Sequence, residues 1–331
     1  MNRLCVIPGD GIGHEVIPVA VAALQRLIPG LQVVTADAGW DCFQRTGRSV
    51  PEQTLEHMRE CDAGLFGAVS SPARKVEGYR SAILTLRQAL GLNCNLRPIR
   101  SWPVISPRSG IDMIILRENS EGLYVGREHM QSEDIAIAER QISRPACEQF
   151  AARIVEVAGL RSARRITLAH KANVLPLTCG LFRDSCRQVL AERGWDAQVD
   201  ERLVDVAALQ LVESPESFDV LATTNLFGDI LSDLACYWSG GLGMAPSLNW
   251  GQGIALAEPV HGSAPDIVGT GRANPIAALL SAALLLRYHW RQPLLAARLE
   301  SAVEGFLVEA GMVDFADRTT AVIADGVISR L

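Results

Sequence analysis

The sequence has no pair of cysteines at CxxC spacing. Its eight cysteines (Cys5, Cys42, Cys61, Cys94, Cys147, Cys179, Cys186 and Cys236) are scattered through 331 residues. No paired-histidine spacing accompanies them, which argues against a structural zinc site. A chain of this size can bury a core without disulfides, so reduced core thiols in a cytoplasmic protein are expected. Aromatic residues make up only 5%, too few for a stacking platform for single-stranded nucleic acid. Positive charge is not in excess: 31 Lys and Arg stand against 37 Asp and Glu, a net charge of −6. No nucleic-acid partner is expected, and an anionic small molecule would have to be held by local arginines. The longest apolar run, 276–286, is interrupted by Ser281 and falls short of the roughly 20 residues that span a bilayer. The apolar residues between Arg3 and Pro8 are too few for a signal-peptide core. A soluble protein with no membrane partner is expected.

Hydrophobic residues reach 48% and charged residues 21%, with a mean hydropathy of +0.15, which excludes intrinsic disorder. At about 150 residues per domain, the length suggests two domains. Short apolar runs at 4–7, 32–36, 64–69, 113–116, 166–169 and 220–223 read as strands. Between and after them, 16–27, 51–60, 81–90, 146–158, 181–192, 276–288 and 294–310 carry helical spacing. Strand–helix alternation of this kind predicts an α/β protein with crossover connections.

Several segments carry candidate chemistry. Gly9-Asp10-Gly11-Ile12-Gly13 follows a strand and precedes a helix, but its spacing is GxGxG rather than the GxGxxG of a dinucleotide fold. Asp10 would also point a carboxylate at a pyrophosphate, so a tight strand-to-helix turn is favoured. Arg87, Arg97 and Arg117 lie at or near the ends of buried elements, where planar guanidinium forks suit a polycarboxylate substrate. Glu118-Asn119-Ser120-Glu121-Gly122-Leu123-Tyr124 reads equally as a functional loop or an ordinary turn. Asp229 and Asp233 lie four residues apart; on a helix, both carboxylates reach one hard divalent cation, and a metal site is favoured over a cap. Lys171 follows a buried strand, a setting in which a lysine can act as a base. The segment from Glu258 through His261 and Asp266 to Asn274-Pro275 is rich in glycine and small polar groups; it can wrap an adenosine moiety, with Asp266 accepting from ribose hydroxyls.

Taken together, these segments resemble the β-decarboxylating 2-hydroxyacid dehydrogenases, the isocitrate, 3-isopropylmalate, homoisocitrate and tartrate enzymes. The resemblance runs over nearly the whole chain, and the NLxGDxxSD and HGSAPD segments are its most specific parts. It implies an isocitrate/isopropylmalate dehydrogenase-like two-domain α/β fold, not a Rossmann fold, with the active cleft between the domains. A large cofactor domain from 1–98 and 250–331 would surround a smaller substrate and dimerisation domain, 99–249. The implied partners are a small polycarboxylate and a second copy of the chain, in a homodimer or higher homo-oligomer with shared active sites. Arg87, Arg97 and Arg117 would hold substrate carboxylates. Asp229 and Asp233, with Asp205 of the partner subunit, would bind Mg2+ or Mn2+; Lys171 of the partner subunit would move a proton, and Tyr124 would protonate the enolate carbon. NAD would be held by Asn173, His261, Gly262, Ser263, Ala264, Asp266 and Asn274, with Asp266 disfavouring the extra phosphate of NADP; K+ is a further candidate ion.

For the substrate, the segments 70–79 and 118–124 look most like homoisocitrate dehydrogenases, which implies oxidation to 2-oxoadipate and CO2 in lysine synthesis through 2-aminoadipate. Isocitrate enzymes usually place Asn two residues after a serine at the position of Ser81, where this chain has Ile83. Leu84 is apolar where some homologues put a basic residue for the distal carboxylate, and Arg80, one turn earlier, is a candidate substitute. Ile83 and Leu84 would equally suit an isopropyl group, so 3-isopropylmalate is the alternative, followed by isocitrate or tartrate-type activity. A non-catalytic regulatory subunit is disfavoured because every implied catalytic residue is present. Cys236 departs from the small residue of the family signature and is expected to affect packing only.

Overall fold

A computed structural model describes residues 3–74, 76–195, 198–315 and 318–331; Lys75 of the 70–79 segment lies outside the described residues. In chain order the elements are β1 (Arg3–Gly9), α1 (Gly13–Leu27), β2 (Gln32–Thr35), α2 (Trp40–Thr46), α3 (Glu52–Cys61), β3 (Ala63–Ala68), α4 (Ala82–Ala89), β4 (Cys94–Arg100) and β5 (Asp112–Glu118). There follow β6 (Glu128–Met130), β7 (Ala136–Ala138), α5 (Arg144–Arg161), β8 (Ile166–His170), α6 (Thr178–Glu192), β9 (Val199–Leu203), α7 (Val204–Glu213), β10 (Val220–Thr223) and α8 (Asn225–Cys236). The chain closes with β11 (Pro246–Trp250), β12 (Ala255–Pro259), α9 (Ile276–Leu284), α10 (Pro293–Phe315) and α11 (Thr320–Ile328).

The chain divides into two compact units: one of Met1–Leu92, Ser101–Ser109 and Trp238–Leu331, the other of Asn93–Arg100 and Gly110–Tyr237. These borders differ from the division at 98 and 250 expected from sequence. β4 pairs with β5 over its whole length, from Cys94 opposite Glu118 to Arg100 opposite Asp112, and this draws 93–100 into the second unit. Residues 101–109 belong to the first unit, where Arg108 stacks on the ring of Trp238. Residues 246–250 join it through the antiparallel β11–β12 pair.

The first unit's strands run in the order β2-β1-β3-β12-β11, parallel except for the last pair. Its inner strand β3 is buried at every position, as expected of a parallel strand covered on both faces. α1 packs the face made by Val16, Ile17, Ala20, Ala23, Leu24 and Leu27 inward. α9 is buried all round and packs between α1, α10 and the strands β11 and β12; a helix without a polar face belongs in the interior. The expected continuous helix over 276–288 changes to a π-helical turn at Leu285–His289, and α10 is kinked at Gly311, whose φ is +69°.

The second unit's strands run β4-β5-β10-β8-β9, with one antiparallel pair, β4–β5. α5 and α6 pack together through Phe150 and Phe182, whose ring centroids are 6.0 Å apart. A small hairpin, β6–β7, forms its own two-stranded sheet. All eight cysteines are free and buried, and burial pushes the Cys236 thiol up to about 12, as befits a packing residue. No helix among the described residues is long and apolar enough to cross a membrane.

The glycine-rich turn after β1 is not a phosphate cradle. Asp10 is 1% exposed, and its carboxylate accepts from the backbone N–H groups of Trp40 (2.8 Å), Asp41 (3.0 Å) and Ser70 (2.8 Å). It caps the start of α2 and pins the chain leaving β3. Asp10→Ala leaves these three donors unpaired and should lower the unfolding free energy by about 3 kcal/mol, read from denaturant titration. Asp10→Asn, which keeps one acceptor oxygen, should lose less; equal stability of both variants with the parent would contradict this role.

Candidate active site

α8 begins at Asn225, four residues earlier than the helix suggested from Asp229 onward. Asn225, Asp229, Ser232 and Asp233 fall at spacings of four, three and one, which puts their side chains along one face. That face packs on β4 and β5, and Gly228 allows the close approach: a Cβ there would lie 2.6 Å from Arg117 Cβ.

Arg117, at 2% exposure, donates through Nε to Asn225 Oδ1 at 3.0 Å, and through its terminal nitrogen to Asp229. Arg97 donates to Asn95 Oδ1 (2.9 Å), Ser232 Oγ (2.7 Å) and Asp233 Oδ1 (2.7 Å), and lies 3.6 Å from Asp229 Oδ1. The Tyr124 hydroxyl donates to Asp229 Oδ2 at 2.5 Å, while the Arg117 guanidinium lies 4.9 Å from the centre of its ring. Burial, and then the Asp229 hydrogen bond, raises the Tyr124 phenol above its ordinary value, so it keeps its proton at neutral pH. One side of α8 therefore gathers two carboxylates, two guanidiniums and a protonated phenol.

The polar segment ahead of Tyr124 is a built turn that presents it. The Glu118 carboxylate, raised in pKa by burial, accepts from the Ser120 backbone and hydroxyl and from the Glu121 N–H. Glu121 in turn accepts from Ser143 N (2.6 Å) and Gln141 Nε2 (3.0 Å). Gly122 and Gly126, at φ +83° and +67°, flank the short turn carrying Tyr124.

Lys171 follows β8 and pairs with Asp205 in the first turn of α7. Among the described residues no three acidic, histidine or cysteine side chains gather as a metal site, so Asp205, Asp229 and Asp233 do not form a triad within one chain. Asn173 lies on the exposed turn after Lys171.

The remaining expected residues lie in the first unit. Arg87, on α4 and 8% exposed, donates to Asn249 Oδ1 (3.0 Å) and Glu258 Oε1 (3.2 Å). Ile83 and Leu84 are half-buried, Ser81 precedes the helix without a side-chain cap, and Arg80 hydrogen-bonds Gln88. His261, Gly262, Ser263, Ala264, Asp266 and Asn274 all lie between β12 and α9. Asp266 is exposed, Ala264 has a φ of +42°, and Asn274 Oδ1 caps α9 by accepting from Ile276 N. His261 Nε2 is buried with no hydrogen-bond partner, and burial lowers the imidazole pKa, which keeps the ring neutral.

The orienting residues Asn95 and Asn249 were not among the sequence candidates, and Asn225 and Ser232, though part of the NLxGDxxSD segment, were given no role there. The available signal was an asparagine in a buried element: Asn95 and Asn249 sit in strands at 0% exposure, and Asn95 is two residues from Arg97, on the same strand face.

Buried Arg97 and Arg117 thus meet the partly exposed carboxylates of Asp229 and Asp233 on an α/β scaffold. A family model for isocitrate/isopropylmalate dehydrogenase matches residues 3–327, and the chain belongs to that family. It is 49% identical over 332 residues to the isocitrate/homoisocitrate dehydrogenase of Thermus thermophilus, covering 99% of this chain and 98% of that protein. It is 44% identical over 293 residues to the 3-isopropylmalate/3-methylmalate dehydrogenase of Methanocaldococcus jannaschii, covering 87% and 86%. The crystal structure of isocitrate dehydrogenase from Methylococcus capsulatus superposes with a TM-score of 0.93 at 37% identity, covering 100% of this chain and 99% of that one.

Gly228→Ala should displace Arg117 and lower dehydrogenase kcat/KM by at least about tenfold, which is about 1.4 kcal/mol of transition-state stabilisation. Circular dichroism should stay unchanged. Parental kcat/KM in that variant would mean that the spacing of α8 from β5 does not govern the site.

Proposed function

We propose that this oxidoreductase is an NAD-dependent, divalent-metal-dependent decarboxylating dehydrogenase whose preferred substrate is homoisocitrate, giving 2-oxoadipate and CO2 in lysine synthesis. The observation that carries the reading is the cluster of Arg97, Arg117, Tyr124, Asp229 and Asp233 on one side of α8. Asp229 and Asp233, 34% and 53% exposed at their side chains, fit part of the oxygen shell of a hard cation; the partner subunit's Asp205 completes it. The orphaned His261 Nε2 and the exposed Asp266 carboxylate fit the adenosine end of NAD.

Bound at Asp229 and Asp233, Mg2+ or Mn2+ would supply positive charge beside the substrate hydroxyl, and NAD would supply the hydride acceptor. The chain's own residues do the rest. Arg97 and Arg117 exchange their aspartate partners for substrate carboxylates. Lys171 of the partner subunit accepts the hydroxyl proton as hydride passes from the carbon bearing that hydroxyl to the nicotinamide. After CO2 departs, the Tyr124 O–H delivers a proton to the carbon that carried it.

The homodimer reading rests on an apolar face. Ile230 and Leu234 of α8 are 57% and 38% exposed within one chain, alongside Leu209 and Val212 of α7. An exposed apolar helix face of this kind suits a second copy. The β6–β7 hairpin exposes Ile137 and Met130 and is too small to be stable alone. Eight free, buried thiols suit a reducing compartment, consistent with the cytoplasm.

Homoisocitrate is favoured over 3-isopropylmalate by Arg80, exposed two residues before α4 begins and donating to Gln88, as a candidate anchor for the distal carboxylate. Half-buried, apolar Ile83 and Leu84 favour the alternative. Initial rates of NAD reduction with Mg2+ and K+ should give the highest kcat/KM for homoisocitrate among homoisocitrate, isocitrate and 3-isopropylmalate. Arg80→Ala should lower it by about tenfold for the tricarboxylates, the effect of losing one charge-assisted contact, and leave 3-isopropylmalate unchanged. A higher kcat/KM for 3-isopropylmalate in the parent enzyme would overturn the homoisocitrate assignment.

A further inference from the structure

The turn over 9–15, which failed as a dinucleotide fingerprint, makes a different set of contacts. Gly11, at φ +56°, backs directly on Ser263: an added Cβ would lie 2.3 Å from the Ser263 carbonyl oxygen. The Ile12 N–H donates to that same oxygen at 3.0 Å. Ser70, whose N–H is fixed by Asp10, shares a hydroxyl–hydroxyl hydrogen bond of 2.8 Å with Ser263. Farther along the segment between β12 and α9, Gly269 N donates to the Glu15 carboxylate at 2.8 Å. Thr320 of α11 then binds the Gly271 and Ala273 carbonyls.

One turn and the first residues of α1 thus grip the segment at Ser263 and again at Gly269. Between these grips lies Asp266, and the chain around it is exposed at 265, 266 and 268–270. Its own order comes from local bonds such as Ile267 N to Ala264 O and Thr270 N to Ile267 O. A segment so exposed samples many conformations unless it is tied at both ends, and a ligand that needs one of them then binds more weakly by the fraction populated.

We propose that Glu15 is a positioning residue for the cofactor: its bond to Gly269 N holds the 263–269 turn in the form that presents Asp266. The proposal rests on the reading that this segment holds the adenosine end of NAD. Glu15 also sits in the first turn of α1, where its charge favours the helix dipole; the glutamine variant separates the two roles, because it keeps a carbonyl acceptor and loses the charge.

The test uses the full-length enzyme. Glu15→Ala should speed backbone hydrogen exchange in peptides covering 262–272 without nucleotide and raise the KM for NAD by about fivefold, the effect of one lost hydrogen bond. The KM for the hydroxy acid and kcat should stay within about twofold, which separates positioning from catalysis. Glu15→Gln should restore both the exchange rate and the NAD KM. Unchanged exchange in Glu15→Ala would overturn the proposal directly. Faster exchange with an unchanged NAD KM would overturn it by another route, showing that the segment is held by Glu15 but does not bind the cofactor. Failure of Glu15→Gln to rescue would assign the effect to helix charge and equally overturn it.

Discussion

The approach of α8 to β5 at Gly228 is the constraint on which the second unit's chemistry depends. Arg117 is a charged side chain buried almost completely in a strand, and a buried guanidinium is tolerated only when paired and hydrogen-bonded. Asn225 and Asp229 supply that pairing because Gly228, between them in sequence, lets the helix come within contact of the Arg117 stem. Once that register is set, Asp229 meets Tyr124 on one side and Arg97 on the other, and Ser232 and Asp233 complete the environment of Arg97. A one-residue slip of the helix would turn this face by roughly 100° and scatter the cluster.

The arrangement has a consequence for ligand exchange. Arg97 and Arg117, two of the three guanidiniums expected to hold substrate, are satisfied by the carboxylates expected to hold metal. Arginine and aspartate therefore keep each other paired and oriented in the free chain, the arginines buried and the aspartates partly exposed, and each is released when a ligand binds its partner. The electrostatic cost of gathering two acids four residues apart is offset before any ligand binds. In the proposed reading, such preorganisation is how this fold holds a polyanionic substrate in a protein of net negative charge.

Much of the scaffold was legible in the sequence. Inner parallel strands such as β3, β8 and β10 are continuous short apolar runs, and α1 and α3 carry clear helical spacing. The elements that escaped notice had weaker signals. β9 reads Val-Asp-Glu-Arg-Leu and is half-buried throughout, as suits a polar edge strand; α7 buries Ala207 and Leu211 but shows Val206, Leu209 and Val212 to solvent in a single chain. Spacing alone could not assign Asp10, because its three donors lie 30, 31 and 60 residues away. The arginine and aspartate motifs were readable from residue type and position, whereas their asparagine and serine supports became visible only when strand and helix were brought together. The domain border at 93–100 likewise depended on pairing with β5, which no local pattern encodes.

The most direct measurement is Mn2+ binding to the protein without substrate, followed by electron paramagnetic resonance of the free ion. The account predicts saturable binding, weakened by at least about tenfold in Asp233→Asn, because hard cations depend on carboxylate charge. Mn2+ affinity unchanged in Asp233→Asn would contradict the assignment of α8 as the metal-bearing element of this enzyme.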